Sequence, residues 1–237
     1  VAPEQGLYTA IVAGFVVSFL GGSRVQIAGP TAAFATIVAG IVATEGMDGL
    51  IISTILAGIF LVIMGFCRFG SLIKYIPSTI TLGFTFGIAV TIVVGQVKDF
   101  CGMTFEGSPI ETTEKIAEIF GSISTFNPMA FLVGIISLAI LIFWPKKLSK
   151  IPPSLIAVIV GAAIVKISGM NVNTIGDLYT ISSAPPTFTL PEVTFDRIKA
   201  LIPNAFTIAI LAAVESLLSC VVADGMIGSK HRSNMEL

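Results

Sequence analysis

Seven blocks of nearly unbroken apolar residues, separated by polar connectors, constrain this chain more than any other feature. They are Leu7–Leu20, Val25–Ala43, Leu50–Cys67, Ser78–Val97, Pro128–Trp144, the shorter Pro153–Ile167, and Ala205–Ala223. A helix rises about 1.5 Å per residue, so roughly 20 apolar residues cross a hydrocarbon core about 30 Å thick. Many of these residues are β-branched and would favour strands in water. In lipid the backbone must satisfy its own hydrogen bonds, and helices do so most simply. The rest of the chain cannot supply a soluble coat: 11% of its 237 residues are charged, against roughly 25% in an average soluble domain. The fold class expected is an all-α polytopic membrane protein.

Several function classes fall away. A net charge of −1 leaves no basic field for nucleic acid. Three cysteines, Cys67, Cys101 and Cys220, at unrelated spacings imply neither a disulfide framework nor a zinc site, and the single histidine, His231, cannot build a metal centre. Neither a metal nor a cofactor is expected. An intramembrane hydrolase would need a nucleophile with a base inside the bilayer, and the apolar blocks hold serines without a buried His or Lys. The chain starts at Val1 with no initiator Met, and an internal fragment of a longer membrane protein is expected.

Lysine and arginine orient the blocks. If the Gly21-Gly22-Ser23-Arg24 turn is cytoplasmic, alternation places Arg24, Arg68, Lys74, Lys146, Lys147, Lys150, Lys230 and Arg232 on that side, all in short loops. Lys98, Lys115, Lys166, Arg197 and Lys199 fall on the other, spread over two long loops. Seven crossings follow, the first entering from outside. The loop 98–127 carries Glu111, Glu114 and Glu118 on a helical period, and 168–203 is polar, Pro-rich and expected to be partly extended, with an amphipathic stretch around Phe195–Leu201.

The apolar pattern is interrupted twice. Val25-Gln26-Ile27-Ala28 alternates like a short strand before Gly29-Pro30-Thr31. Proline suits the first position of a helix and costs about 3 kcal/mol in its interior. The economical reading is a strand followed by a half-helix from Pro30 to about Ala43, ~21 Å long, whose N-terminus lies inside the bilayer. Free N–H groups and the positive dipole end there attract anions. Thr31 adds a hydroxyl, and Phe34 is placed to line the same pocket. The alternative is an ordinary span kinked at Pro30.

The second interruption is Glu215, the sole acid inside an apolar block. A charge at mid-helix costs about 2.5–3.5 kcal/mol or more, so such residues face a cavity or a partner. Ser219, four residues on, shares its face. Glu215 could carry a proton, bind a cation while ionised, or make a structural hydrogen bond to another helix. Blander readings suit other features: Gly83, Gly87, Thr91 and Gly95 form a small-residue stripe for close helix packing, His231 reads as a solvated loop residue, and Asp224 as an interfacial carboxylate near a base.

Taken in order, these residues resemble a known family. Pro3-Glu4-Gln5-Gly6-Leu7-Tyr8, the Gly21-Gly22-Ser23-Arg24 turn and Ala28-Gly29-Pro30-Thr31-Ala32 resemble the signature of SulP-type sulfate permeases. Glu215-Ser216-Leu217-Leu218, Ala223-Asp224-Gly225-Met226 and Lys230-His231-Arg232-Ser233-Asn234-Met235-Glu236-Leu237 resemble its later motifs.

The resemblance implies part of a seven-plus-seven inverted-repeat fold like that of uracil permeases, with a core moving against a gate. Residues 1–67 correspond to core spans two to four, 68–168 to gate spans five to seven, and 169–237 to an extracytoplasmic loop, core span eight and the start of a cytoplasmic loop. Span one, spans nine to fourteen and any STAS domain lie outside the chain. Gly29, Pro30, Thr31, Ala32, Phe34 and Ser219 would belong to the anion site, and Glu215 would couple transport to H+ or Na+. The function implied is secondary active transport of a small inorganic or organic anion, sulfate first, with bicarbonate or a C4-dicarboxylate as alternatives. A channel-like or sensory anion-binding membrane protein is the alternative of another class. A multi-pass protein of the plasma membrane (a bacterial inner membrane), homodimeric at full length, is implied as well.

Overall fold

Apolar runs bounded by Gly, Pro and Asn fold into helices at most of the expected places. The structure is a computed structural model that describes residues 3–75, 77–145, 148, 150–179 and 191–237. Lys146, Lys147 and Ser149 of the basic turn, and residues 180–190 of the long polar loop expected to be partly extended, lie outside the described residues. The chain divides into two compact units, Val1–Ile88 with Ile181–Leu237, and Ala89–Thr180.

In the first unit, helix α1 (Pro3–Leu20) is followed by an irregular segment, a 3-10 turn at Ala32–Phe34 and helix α2 (Ala35–Phe66). Gly46, with φ 71° and ψ −174°, breaks α2 into two helices. That backbone region is essentially reserved for glycine. Residues 35–45 thus form a half-helix about 16 Å long, and 47–66 a full-length span. A second 3-10 segment (Phe69–Tyr75) leads to α3 (Ser78–Phe100), whose first half belongs to this unit.

Helix α8 (Phe195–Ile227) has 33 residues and absorbs both the amphipathic stretch and the Ala205–Ala223 block. Pro203 sits inside it; a proline there frees the carbonyl one turn earlier but leaves its own carbonyl in the helix, and that carbonyl accepts the Thr207 hydroxyl at 2.9 Å. Leu201, Ala205, Ile208, Ala209, Ala213 and Leu217 form its buried stripe. Ile208 and Ala209 meet Ile41 and Ala57 of α2 in the core. With Ala209 0% and Ala57 2% exposed, the small residues let the two backbones approach closely. A short α9 (Ser233–Glu236) follows.

The second unit holds the rest of α3, α4 (Thr112–Gly121), a 3-10 turn (Ile123–Thr125), α5 (Pro128–Ile142), α6 (Pro153–Ser168) and α7 (Ile175–Leu178). The acidic period of the loop is the helix α4, where Glu114 accepts the N–H groups of Ile110 and Glu111 and Glu118 those of Glu106 and Gly107. Asn127 caps α5 by accepting from Met129 N and Ala130 N. Ala130 of α5 is buried beside Gly102, and Gly161 of α6 is buried beside Val133 and Ser137 of α5. In α7, the Asp177 carboxylate accepts both the hydroxyl and the N–H of Thr174 at 2.6 and 2.8 Å. These bonds, the hydroxyl foremost, hold the Asp177 carboxyl below the usual carboxylate range.

Four stretches, Pro3–Leu20, Ala32–Phe66, Thr79–Phe100 and Phe195–Ile227, are long and apolar enough to cross a membrane. Helices α5 and α6, expected as crossings, are apolar but only 15 and 16 residues long, about 23 Å each. Phenylalanines such as Phe15, Phe19 and Phe66 stand exposed along the spans, as they do on a surface solvated by lipid.

One expectation is corrected here. No strand is assigned among the described residues, and Val25–Ala28 has no regular secondary structure; an extended segment becomes a strand only by pairing with another, and here it lies along a helix. A Cβ on Gly14 would come 3.5 Å from Ala28 O, a Cβ on Gly29 lies 4.0 Å from Ala10 Cβ, and one on Gly6 4.0 Å from Pro30 Cγ. The small residues Gly6, Ala10 and Gly14 recur every four positions and make the bed for residues 27–30. On α3, a Cβ at Gly83 or Gly95 would meet nothing within 4 Å.

Candidate functional site

The 3-10 turn that leads into the half-helix begins two residues after Pro30. Thr31 is extended (φ −121°, ψ 152°) and precedes the 3-10 turn. Its side chain does not cap that turn; the hydroxyl donates instead to Glu215 Oε2 at 3.1 Å, across 184 residues of sequence. The first turn's N–H groups, the positive end of the half-helix dipole, therefore start beside the single acid of the apolar blocks. Both partners belong to the first unit.

The expected site residues are divided: Glu215 and Ser219 line a cavity that Gly29, Pro30, Thr31, Ala32 and Phe34 do not line. Gly29 and Pro30 are exposed and rest on α1, Ala32 is exposed at the start of the turn, and Phe34 turns inward against the Ile41–Ala57–Ile208–Ala209 cluster. Ser219 is exposed one turn after Glu215, and both line a cavity of about 410 Å³ between α8 and the first half of α3. Thr81 and Thr85 of α3 line it too, with the Thr85 hydroxyl donating to Thr81 O at 2.9 Å. These threonines were not singled out from sequence, although their four-residue spacing puts them on one face. Among the described residues, no cluster of His, Cys, Asp and Glu could hold a metal.

A second polar cluster closes the cytoplasmic turn expected after α8. Gly228 ends the helix in the left-handed conformation (φ 66°). Asp224 Oδ2 then accepts His231 N at 2.8 Å and lies 2.7 Å from His231 Nδ1, while Ser229 donates to Oδ1 and Ser233 Oγ lies 2.9 Å from His231 Nε2. The His231 side chain is 7% exposed, so it is a packed structural residue and not a solvated one. The base expected near Asp224 is this histidine. Glu236, in α9, accepts from Gly22 N, Ser23 N and Ser216 Oγ.

The family model described as the Sulfate permease family matches residues 1–237. The chain belongs to that family. Its relatives include the sulfate transporter homologue YvdB of Bacillus subtilis (strain 168), 39% identical over 239 residues, which cover 100% of the chain and 45% of that protein. The bicarbonate transporter BicA of Synechocystis sp. (strain ATCC 27184 / PCC 6803 / Kazusa) is 27% identical, with 98% and 42% covered. The chain thus spans somewhat less than half the length of these curated relatives. The transmembrane domain of a cyanobacterial BicA superposes with a TM-score of 0.81 at 25% identity, over 98% of this chain and 61% of that one. The murine solute carrier 26 family member A9 anion transporter, in its inward-facing state, shares the fold at a TM-score of 0.74 and 20% identity, with 99% and 44% covered. The chain is a multi-pass membrane protein of a family of transporters.

Proposed function

We propose that the full-length permease is a secondary active transporter of a small anion, sulfate first, coupled to H+ or Na+, in which Thr31 and the first-turn N–H groups hold the anion and Glu215 holds the coupling ion. The Thr31–Glu215 contact carries this reading. A half-helix N-terminus attracts an anion through its dipole and its unpaired N–H groups. An ionised carboxylate about 4 Å from a bound negative charge opposes it by about 4 kcal/mol at an effective dielectric near 20. A proton or Na+ on Glu215 removes that repulsion, so anion and cation favour each other's binding, which is the thermodynamic content of coupling.

In this reading the missing half supplies an inverted repeat whose own half-helix faces Pro30 across the anion. Residues 1–67 and α8 rock as a core against a gate built from 68–168, and the full-length protein works as a homodimer in the bilayer. Bicarbonate, named for BicA, and a C4-dicarboxylate fit the same N–H groups, and the Thr31 hydroxyl once a proton or Na+ on Glu215 releases its bond.

The test is uptake of labelled sulfate, with bicarbonate in parallel, by the full-length protein in proteoliposomes under imposed H+ or Na+ gradients. Wild type concentrates its anion along the gradient; Glu215→Gln loses that dependence. Gradient-driven uptake undiminished in Glu215→Gln overturns the coupling role.

A further inference from the structure

The Thr31–Glu215 contact joins an irregular segment to a helix, and something must hold the two in register. Residues 24–31 have no helix or ladder of their own. Their far end is Ser23, and the residue after Glu215 is Ser216. One side chain binds both. Glu236 Oε2 accepts the N–H groups of Gly22 and Ser23 at 2.8 and 3.1 Å, and its Oε1 accepts the Ser216 hydroxyl at 2.9 Å. Two successive backbone N–H groups turned on one oxygen make a small anion-binding concavity. Hydrogen bonds to a carboxylate are roughly twice as strong as neutral ones.

The segment that carries Glu236 is itself seated closely. Arg232 N donates to Gly22 O at 2.9 Å. A Cβ on Gly22 would lie 2.9 Å from Glu236 N, one on Gly65 2.9 Å from Asn234 O, and one on Gly70 2.8 Å from Asn234 N. Leu237 packs against Leu217 and Leu218 of α8. Behind it, the Asp224–His231–Ser233 bonds fold the return from α8. Glycines at the turn, at the end of α2 and in the 3-10 segment thus admit residues 232–237 close enough for one carboxylate to span both sides of the site.

We infer that Glu236 is a positioning residue for anion binding: it ties the Gly22–Ser23 turn to Ser216 and so holds Thr31 against Glu215. The inference rests on reading Thr31 and Glu215 as the anion and coupling site. Glu236 touches neither partner and acts through the two ends of the loop that their contact closes. Its effect belongs to affinity, because a mispositioned Thr31 still cycles once loaded.

The test uses the full-length protein in proteoliposomes, with initial uptake of labelled sulfate, or of labelled bicarbonate where the unmodified protein carries that. Glu236→Ala raises KM about tenfold, as loss of a charge-assisted bond network does, with the maximal rate per inserted protein within about twofold. Glu236→Gln keeps an oxygen for the two N–H groups and an NH2 for Ser216 Oγ, and stays within about threefold of wild-type KM. The decisive readout is the double variant: Thr31→Val with Glu236→Ala is no worse than Thr31→Val alone, because both remove the same arrangement.

Additive effects, or an unchanged KM in Glu236→Ala while Thr31→Val raises it, overturn the positioning role and leave the site reading intact. An unchanged KM in Thr31→Val overturns both. Should Glu236→Ala fail to insert, Ser216→Ala removes one bond without touching the docked backbone. It must give a smaller KM rise that is likewise non-additive with Thr31→Val, and additivity there refutes the inference.

Discussion

The break at Gly46 sets the length of the half-helix, and a pair of glycine-to-alanine substitutions tests it. Gly46 has φ 71° and ψ −174°, a region where a non-glycine residue stores about 1–3 kcal/mol of strain. A Cβ there would meet nothing within 4 Å, so crowding by neighbours contributes nothing and the whole penalty is the backbone's own. Gly40 lies six residues earlier, inside the half-helix, and its Cβ would also be free. Alanine at a helical position is favoured over glycine by about 0.5–1 kcal/mol. The same chemical change therefore has opposite signs at the two positions: Gly46→Ala loses about 1–3 kcal/mol and Gly40→Ala gains about 0.5–1 kcal/mol. Reversible unfolding of the full-length protein in mixed micelles, followed by circular dichroism, measures both. If Gly46→Ala is as stable as Gly40→Ala, the helix runs through residue 46 and the half-helix does not exist.

Two further outcomes follow from the packing and the caps. Ala209→Leu, at a fully buried position facing Ala57, forces α2 and α8 apart and destabilises the protein by about 1–3 kcal/mol in the same unfolding experiment. The Asp177 carboxyl titrates below its ordinary range because Thr174 donates to it. With the folded value below the unfolded one, the α7 cap is fully stabilised above the unfolded pKa and loses that stabilisation as pH falls through the folded value. Thr174→Val moves the Asp177 titration up, read by NMR; a titration unchanged in the variant removes Thr174 as the cause.

The parts of this architecture that are legible in the sequence are those with local causes. Pro30 marks the start of a half-helix because its ring cannot sit in a helix interior, and Glu215 stands out because an acid in an apolar block needs a partner. The offset of two residues arises because Thr31 remains extended, which leaves its hydroxyl free to reach Glu215 instead of capping its own turn. Val25–Ala28 alternates like a strand, yet alternation records only which side is covered, and the cover is the Gly6–Ala10–Gly14 face of α1. Pro203 looks like a helix boundary in sequence, while in α8 it frees one carbonyl and the helix continues. The packing of His231 and the reach of Glu236 are invisible locally. The Gly22–Glu236 bond spans 214 residues, and no periodicity encodes a contact at that separation. Thr81 and Thr85 were within reach of the helical spacing alone, but hydroxyls that can bond back to their own helix are a weak signal until a cavity is seen beside them.

Cross-linking between positions 31 and 215 tests the central claim most directly. In a full-length, cysteine-free background, Thr31→Cys with Glu215→Cys is treated in membranes with a short thiol-bridging reagent. The account predicts rapid cross-linking, because the native side chains lie within hydrogen-bond reach. Failure to cross-link would contradict the placing of Thr31 beside Glu215, on which the shared site rests.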